Sequence, residues 1–582
     1  MMARLPAVAH VRDIELGTNP ELEAWLYHFL MENNLEYLLN PFVVASPEQL
    51  RFMVSLSGEQ VYLPCSDKMF FDIYSNKFPE SLTHEYLNGW RFIVKLVKSY
   101  KMSRADSRRI LSMCRYRFRM YLKGRMLLPS RMIKRLLAIV LTQCGDSDPF
   151  RARKRLANAH AAEILSSEEF QKILWSCPEL PQSGCSNIAD MRHYLEMTEL
   201  SRLVLLSTYE PLWQGKITIG RVREELDSLK EGDFDCLRDA LGDEKSDRKH
   251  ILFIPDVAGG FMLDIAFLQS LLRQGHAVII ALKDAFYFNS PSIADVEDEK
   301  LLKKALDNAL SLHEEQISKT RLLQLLRAHR FLVISDGTSE QLNLYRTNVT
   351  FARAWKESDL IIAKGHRNKQ VLLDSSHEFT RDIICYWRDK KGLFQIARKA
   401  KSASAYRFPE KEILALSRGI IRQMQEARDS GKTVMFYSAI IGSIPGQTKT
   451  AISVVNAFVA HLRERMEQVF VINPAEHFEE GMDGDDLMYM WEYVQRSGLL
   501  DVWRFQTVED IEASFALMHR KVPAAWSGKD STFSTGCTQE MRIALDEQQK
   551  HPEMQIIGPA PERFFRRRDY GIGKYFDASI KA

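Results

Sequence analysis

Four short, near-continuous apolar runs punctuate the middle of the chain, and each exits into polar or glycine-rich residues. They are HILFIPDVAGG (His250 to Gly260), AVIIALKDAFYFNSP (Ala277 to Pro291), FLVISDGT (Phe331 to Thr338) and DLIIAKGHRN (Asp359 to Asn368). Val/Ile/Leu/Phe runs without alternation, separated by longer helical periodicity, predict parallel strands buried on both faces. In an open parallel sheet the ligand crevice lies outside the carboxyl ends of the strands. That rule brings Asp256, Asn289, Ser290, Asp336 and Lys364 to one edge from distant stretches of chain. Acids beside a lysine at such an edge suit a divalent cation and a phosphate.

The same patterning divides the chain. Residues 1–245 predict a mainly helical region, with apolar periodicity in Leu22 to Tyr37, Leu87 to Val97 and Ala161 to Ile173. Within it, the Arg/Lys-rich stretch from Lys101 to Arg135 predicts a pair of amphipathic helices with solvated or acid-paired arginines; an anionic-partner surface is the alternative. Residues 246–398 alternate strand and helix, the signature of a doubly wound α/β domain. Residues 399–430 predict a linker and a connecting helix: RKAKSASAYR (Arg398 to Arg407) is small and basic, Pro409 opens the helix, and Gly431 lies just past its end. Residues 431–582 alternate again, with TVMFYSAIIGS, QVFVINP, VWRFQTV and MQIIGPAP as strands, and predict a second, C-terminal α/β domain.

Composition narrows the class without naming a function. The 582 residues are 45% hydrophobic and 27% charged, with a formal net charge of +3. This is an ordinary globular balance with no global case for nucleic-acid or membrane binding. No apolar stretch spans a bilayer, and the N-terminal segment turns acidic before a signal-type core develops, so a cytoplasmic protein is expected. The eight cysteines, Cys177 and Cys185 among them, form no CxxC pair, and no HExxH spacing occurs, so neither a zinc knuckle nor a thioredoxin-type motif is expected.

Five segments, in order and spacing, resemble the damage-control phosphatase family (domain of unknown function 89, including proteins proposed to be acidic-residue methyltransferases). They are DPFRARKRLANAHA (Asp148 to Ala161), PDVAGG at Asp256, NSPSIAD (Asn289 to Asp295), SDGTSEQLNLYRT (Ser335 to Thr347) and SDLIIAKGHRN ending at Asn368. The resemblance covers roughly residues 145 to 395. It implies a helical N-terminal region on an α/β domain, a divalent metal (Mg or Mn) at the carboxyl edge, and hydrolysis of small phosphate esters such as sugar phosphates. Residue by residue, it implies Asp256 as a metal ligand and Lys364, Gly365 and Asn368 as the phosphate-binding signature; Asp256 and Lys364 are the expected catalytic pair, and Asn289, Ser290, Gly365 and Asn368 the expected substrate contacts. The chain also departs from the family. Val257 stands where a metal-binding Asn is expected, Gly260 or Phe261 where a Glu is expected, and Ser290 where the completing Asp is expected. Asp264, Asp284, Asp295 and Asp336 are the acids placed to compensate, with Asp336 the favoured second ligand; their alternative roles are helix caps and turns.

The C-terminal half carries weaker signals and resembles no recognised family. Gly442, Gly446, Thr448, Lys449 and Thr450 precede or open a helix in the manner of an anion site, although the spacing is not a Walker A loop. Glu476, His477, Glu479, Glu480, Asp483, Asp485 and Asp486 form an acidic loop that fits no EF-hand. Cys537 lacks an evident base, and Arg563, Arg566, Arg567 and Arg568 form a basic cluster, read first as solvated or self-paired.

Two function classes follow. The first is a metal-dependent phosphomonoester hydrolase with a degenerate metal site, acting on a small phosphorylated metabolite. The second is a catalytically degenerate relative that binds a phosphorylated ligand or a protein partner. Transfer of a methyl group from S-adenosylmethionine stands third, because no residues here spell that cofactor's site. The sequence does not set the oligomeric state.

Overall fold

The computed structural model describes residues 8, 10–34, 47–75, 79–176, 187–227, 231–242, 248–312, 317, 319–405, 408–444, 447–477 and 482–565. Cys177, Cys185, Gly446, Glu479, Glu480, Arg566, Arg567 and Arg568 lie outside the described residues. By its internal contacts the chain divides into two compact units, residues 1–315 with 323–405, and residues 316–322 with 406–582.

The four apolar runs are strands. They are β1 (His250–Ile254), β2 (Ala277–Leu282), β4 (Phe331–Ser335) and β5 (Leu360–Lys364), joined by β3 (Leu310–Leu312), β6 (Asp382–Arg388) and β7 (Phe394–Lys399). The sheet order is β3-β4-β2-β1-β5-β6-β7. Every neighbouring pair is parallel except β6 and β7, which run antiparallel at one edge. The central strands are buried along almost their whole length, as runs without alternation require. The chain leaves β1 toward β2 on one side and later returns to place β5 on the other. The gap between the ends of β1 and β5 is therefore the topological switch point.

Helices cover the sheet. Helix α1 (Arg151–Ser166) carries the DPFRARKRLANAHA segment, the short α2 (Glu210–Trp213) follows Ile188–Ser207, and α3 (Gly260–Arg273) leaves the β1 loop. Their apolar faces join the strands in one core that includes Leu200, Leu203, Trp213, Phe253, Phe267 and Ile362. A second core belongs to the N-terminal helices, and Phe286 and Phe288 of the loop after β2 pack against it. The basic stretch from Lys101 to Arg135 folds into Arg104–Gly124 and Pro129–Cys144. Arg131 is buried against Glu340 at 2.7 Å and Arg135 pairs with Glu32 at 2.9 Å, so these two arginines are bound within the unit. Among the described residues no helix is long and apolar enough to cross a membrane.

The second unit holds a separate four-stranded sheet of β8 (Thr433–Ser438), β9 (Val469–Ile472), β10 (Val502–Phe505) and β11 (Gln555–Ile557), ordered β9-β8-β10-β11 and all parallel. Helix Glu410–Asp429 starts after Pro409 and buries Ile413, Ile420 and Met424. Asp483 caps Gly484–Gln495 and Glu476 pairs with Arg463 at 2.7 Å, so part of the acidic loop is spent on local structure. Arg563 pairs with Asp530 at 2.7 Å. Cys537 is buried, which raises its thiol well above the ordinary range and removes it as a ready nucleophile.

Candidate functional site

The edge formed by the ends of β1, β2 and β5 gathers Asp256, Asn289, Ser290, Lys364, Gly365 and Asn368. Asp256 leaves β1 against the glycine that ends β5. Gly365 has φ +92, and a Cβ there would overlap the Asp256 carboxylate. Only glycine combines that backbone with so close an approach. Burial raises the Asp256 carboxyl above its usual range, while the charges of Arg367, Lys364 and His366 oppose the shift.

Lys364 is 3% exposed and its amine meets both oxygens of the fully buried Asp264, at 2.9 and 2.8 Å. Tyr386 donates to the same carboxylate at 3.1 Å, and the Trp213 ring lies 5.5 Å from the amine. Trp213 in turn packs on Gly259 and Gly260, where any side chain would collide with it. The lysine is thus enclosed beneath a tryptophan, with its charge already matched. Asn368 is similarly occupied: its amide donates to the backbone carbonyls of Lys364 at 2.8 Å and Pro255 at 3.3 Å, tying β5 to the exit of β1. Ser290 is buried, and its backbone N–H closes a turn on Tyr287 O at 3.0 Å.

The other acids in these loops are also taken. Asp336 sits at the end of β4, with β2 between it and β1, and accepts from Lys283 at 2.6 Å and from the Thr338 N–H at 2.8 Å. It is the turn acid before Gly337, whose φ is +73. Asp295 forms a capping box with Ser292 and shares the Lys154 amine with Asp148, at 2.6 and 2.7 Å. Asp284 accepts from Ser335 at 2.9 Å. Among the described residues no three His, Cys, Asp or Glu side chains group to hold a metal ion. Valine offers no donor at 257, and Asp264, Asp295 and Asp336 are each neutralised by a lysine. The donor set does not fit a divalent ion.

At this edge three side chains keep a polar atom without a hydrogen-bond partner, Asp256 among them. Asn289 Oδ1 is buried and accepts nothing, although the Asn289 carbonyl fixes the loop by accepting from the Ala258 N–H at 2.7 Å. The Arg367 guanidinium lies over the rings of Tyr287 and Phe288, 5.3 and 5.1 Å away, with a buried nitrogen unbonded. Asp256 makes no hydrogen bond or ion pair among the described residues. Phe288 holds a left-handed backbone, φ 50, a strained state for an aromatic residue that presents its ring to Arg367 and its successor Asn289 to the edge. The Tyr287 hydroxyl, pushed up to about 12 by burial, feels both Arg367 and Asp256.

A cavity of about 330 Å³ opens on the α1 side of the same edge, floored by Val257, Ala258 and Asn289 and walled by Ala157, Trp213 and His160. Arg153 and Lys216 also line it, exposed and without ion pairs among the described residues. Asn158 of α1 sets its floor by accepting from the Gly259 N–H at 2.6 Å and donating to Glu299 at 2.9 Å. Arg367, Tyr287, Phe288 and the α1/α2 rim escaped the sequence reading. The one available signal was a basic pair, His366 and Arg367, directly after the strand–glycine exit.

A helical N-terminal region on a mostly parallel sheet, with its polar loops at the switch point, defines an α/β protein with a ligand crevice at that edge. The damage-control phosphatase ARMT1-like domain matches residues 93–413, more than half the chain, and the chain belongs to that family. Among solved structures, a DUF89 family protein from Pyrococcus horikoshii is 18% identical, with 55% of this chain and 97% of that chain covered and a TM-score of 0.38. No curated protein matches the sequence.

Proposed function

We propose that this chain binds a small phosphorylated metabolite at the carboxyl edge of β1, β2 and β5 and has lost the family's metal-assisted hydrolysis. The observation that carries this reading is the cavity itself: it has a fitting size for a small ligand, Asn289 in its lining, and two unpaired cations, Arg153 and Lys216, against one carboxylate, Glu210, at its rim. Loss of hydrolysis is supported by the donor set, in which lysines neutralise three of the acids offered as compensating ligands.

The second reading is metal-dependent hydrolysis of a phosphomonoester, with Asp256 as the principal ligand and Asp336 completing the site. The unpaired Asp256 carboxylate favours it. It requires Asp336 to leave Lys283 and Thr338 and reach across β2, which costs a buried ion pair.

Thermal-shift and calorimetric titrations with a panel of sugar phosphates and p-nitrophenyl phosphate, with turnover followed in Mg²⁺ and in Mn²⁺, test the two readings. Binding without turnover is expected. Turnover that requires the metal and disappears in Asp256→Asn overturns the first reading in favour of the second.

A further inference from the structure

We propose that Arg367 takes the place of a divalent ion at this edge: its guanidinium receives the ligand's phosphoryl group, and the neighbouring Asp256 accepts a hydroxyl of the same ligand. The inference rests on the binding reading above and deepens it.

A phosphate buried at a sheet edge needs a cation. Lys364 does not supply it, because its amine is spent on Asp264. Lys283 and Lys154 are spent on Asp336, and on Asp148 and Asp295. Arg367 is different in three respects. It holds no ion pair among the described residues, one of its buried nitrogens has no acceptor, and two aromatic faces hold its plane in position. A guanidinium fixed in this way is pre-organised to grip a phosphoryl group with parallel N–H donors. Asp256 packs its carboxylate on Gly365, two residues before Arg367, and feels the guanidinium charge, yet the two close no ion pair. An unpaired acceptor close to a fixed donor fork suits a phosphate ester that carries a neighbouring hydroxyl. Asn289 supplies a further acceptor on the cavity side. The orphaned nitrogen of Arg367 is a buried cost that such a ligand repays.

Isothermal titration with inorganic phosphate and with glycerol phosphate, in excess EDTA and then in Mn²⁺, tests this on the full chain. The expected result is equal affinity in both buffers, a loss of about tenfold or more in Arg367→Met, and partial recovery in Arg367→Lys, which keeps the charge but not the fork. Circular dichroism and melting of each variant separate lost binding from lost fold. Binding that appears only with Mn²⁺ overturns the role of Arg367 and leaves the binding reading standing; so does Arg367→Met binding as tightly as the parent. Absence of binding under both conditions overturns both.

Discussion

Lys364 and Asp264 form a closed ion pair: the amine reaches both carboxylate oxygens, at 2.8 and 2.9 Å, beneath Trp213, and neither residue is more than 3% exposed. The lysine that the family resemblance offers as a phosphate contact therefore faces inward. Lys364→Met leaves Asp264 buried and unmatched, with an expected loss of about 3–5 kcal/mol in denaturant unfolding. The double variant Lys364→Met with Asp264→Leu recovers a large part of that loss, because no charge is then stranded. Equal stability of the single and double variants contradicts a closed pair.

Gly365 and Asp256 set a second expectation. An alanine at 365 carries both an unfavourable φ of +92 and a Cβ inside the Asp256 carboxylate. Gly365→Ala is expected to cost about 1–3 kcal/mol and to weaken phosphate binding by displacing Asp256. Urea unfolding and calorimetry on one preparation measure the two effects.

Rim charges act on encounter more than on grip. Arg153→Ala and Lys216→Ala are expected to slow association several-fold at low salt, with the difference fading as salt rises and dissociation little changed. Stopped-flow association at several ionic strengths reads this. A change confined to dissociation places those side chains on the ligand instead.

The second unit carries its own pH signature. Glu540 is buried against Gln495 at 3.2 Å, and burial raises its carboxyl from 4.5 to about 7. The folded chain thus binds an extra proton between these values. Stability from this group is full below 4.5 and is lost as pH rises through about 7, by roughly 3 kcal/mol in all. Glu540→Gln is expected to flatten that slope in urea midpoints measured from pH 5 to 8; an unchanged slope contradicts the assignment.

Much of this architecture was legible in the residue pattern. Strands β1, β2, β4 and β5 are buried on both faces, so their apolar runs stand out without any knowledge of neighbours. The edge pair was harder. Strand β7 is half-exposed with a mixed pattern, and a linker read from Arg398 begins inside it, since the strand runs to Lys399. At the site, position was readable and pairing was not. Asp264 lies 100 residues before Lys364, and Asp336 lies 53 residues after Lys283. Nothing local distinguishes an acid awaiting a metal from one already held by a lysine. Arg367 was overlooked because its meaning depends on Tyr287 and Phe288, which only the fold brings beneath it.

The central claim is that an anion binds at the edge of β1, β2 and β5, and a crystal soaked in tungstate tests it most directly, since this phosphate mimic scatters anomalously. The account predicts a peak within hydrogen-bonding reach of Arg367, beside Asp256 and the cavity floor at Asn289. A well-occupied peak elsewhere on the chain, with this edge empty, would contradict it.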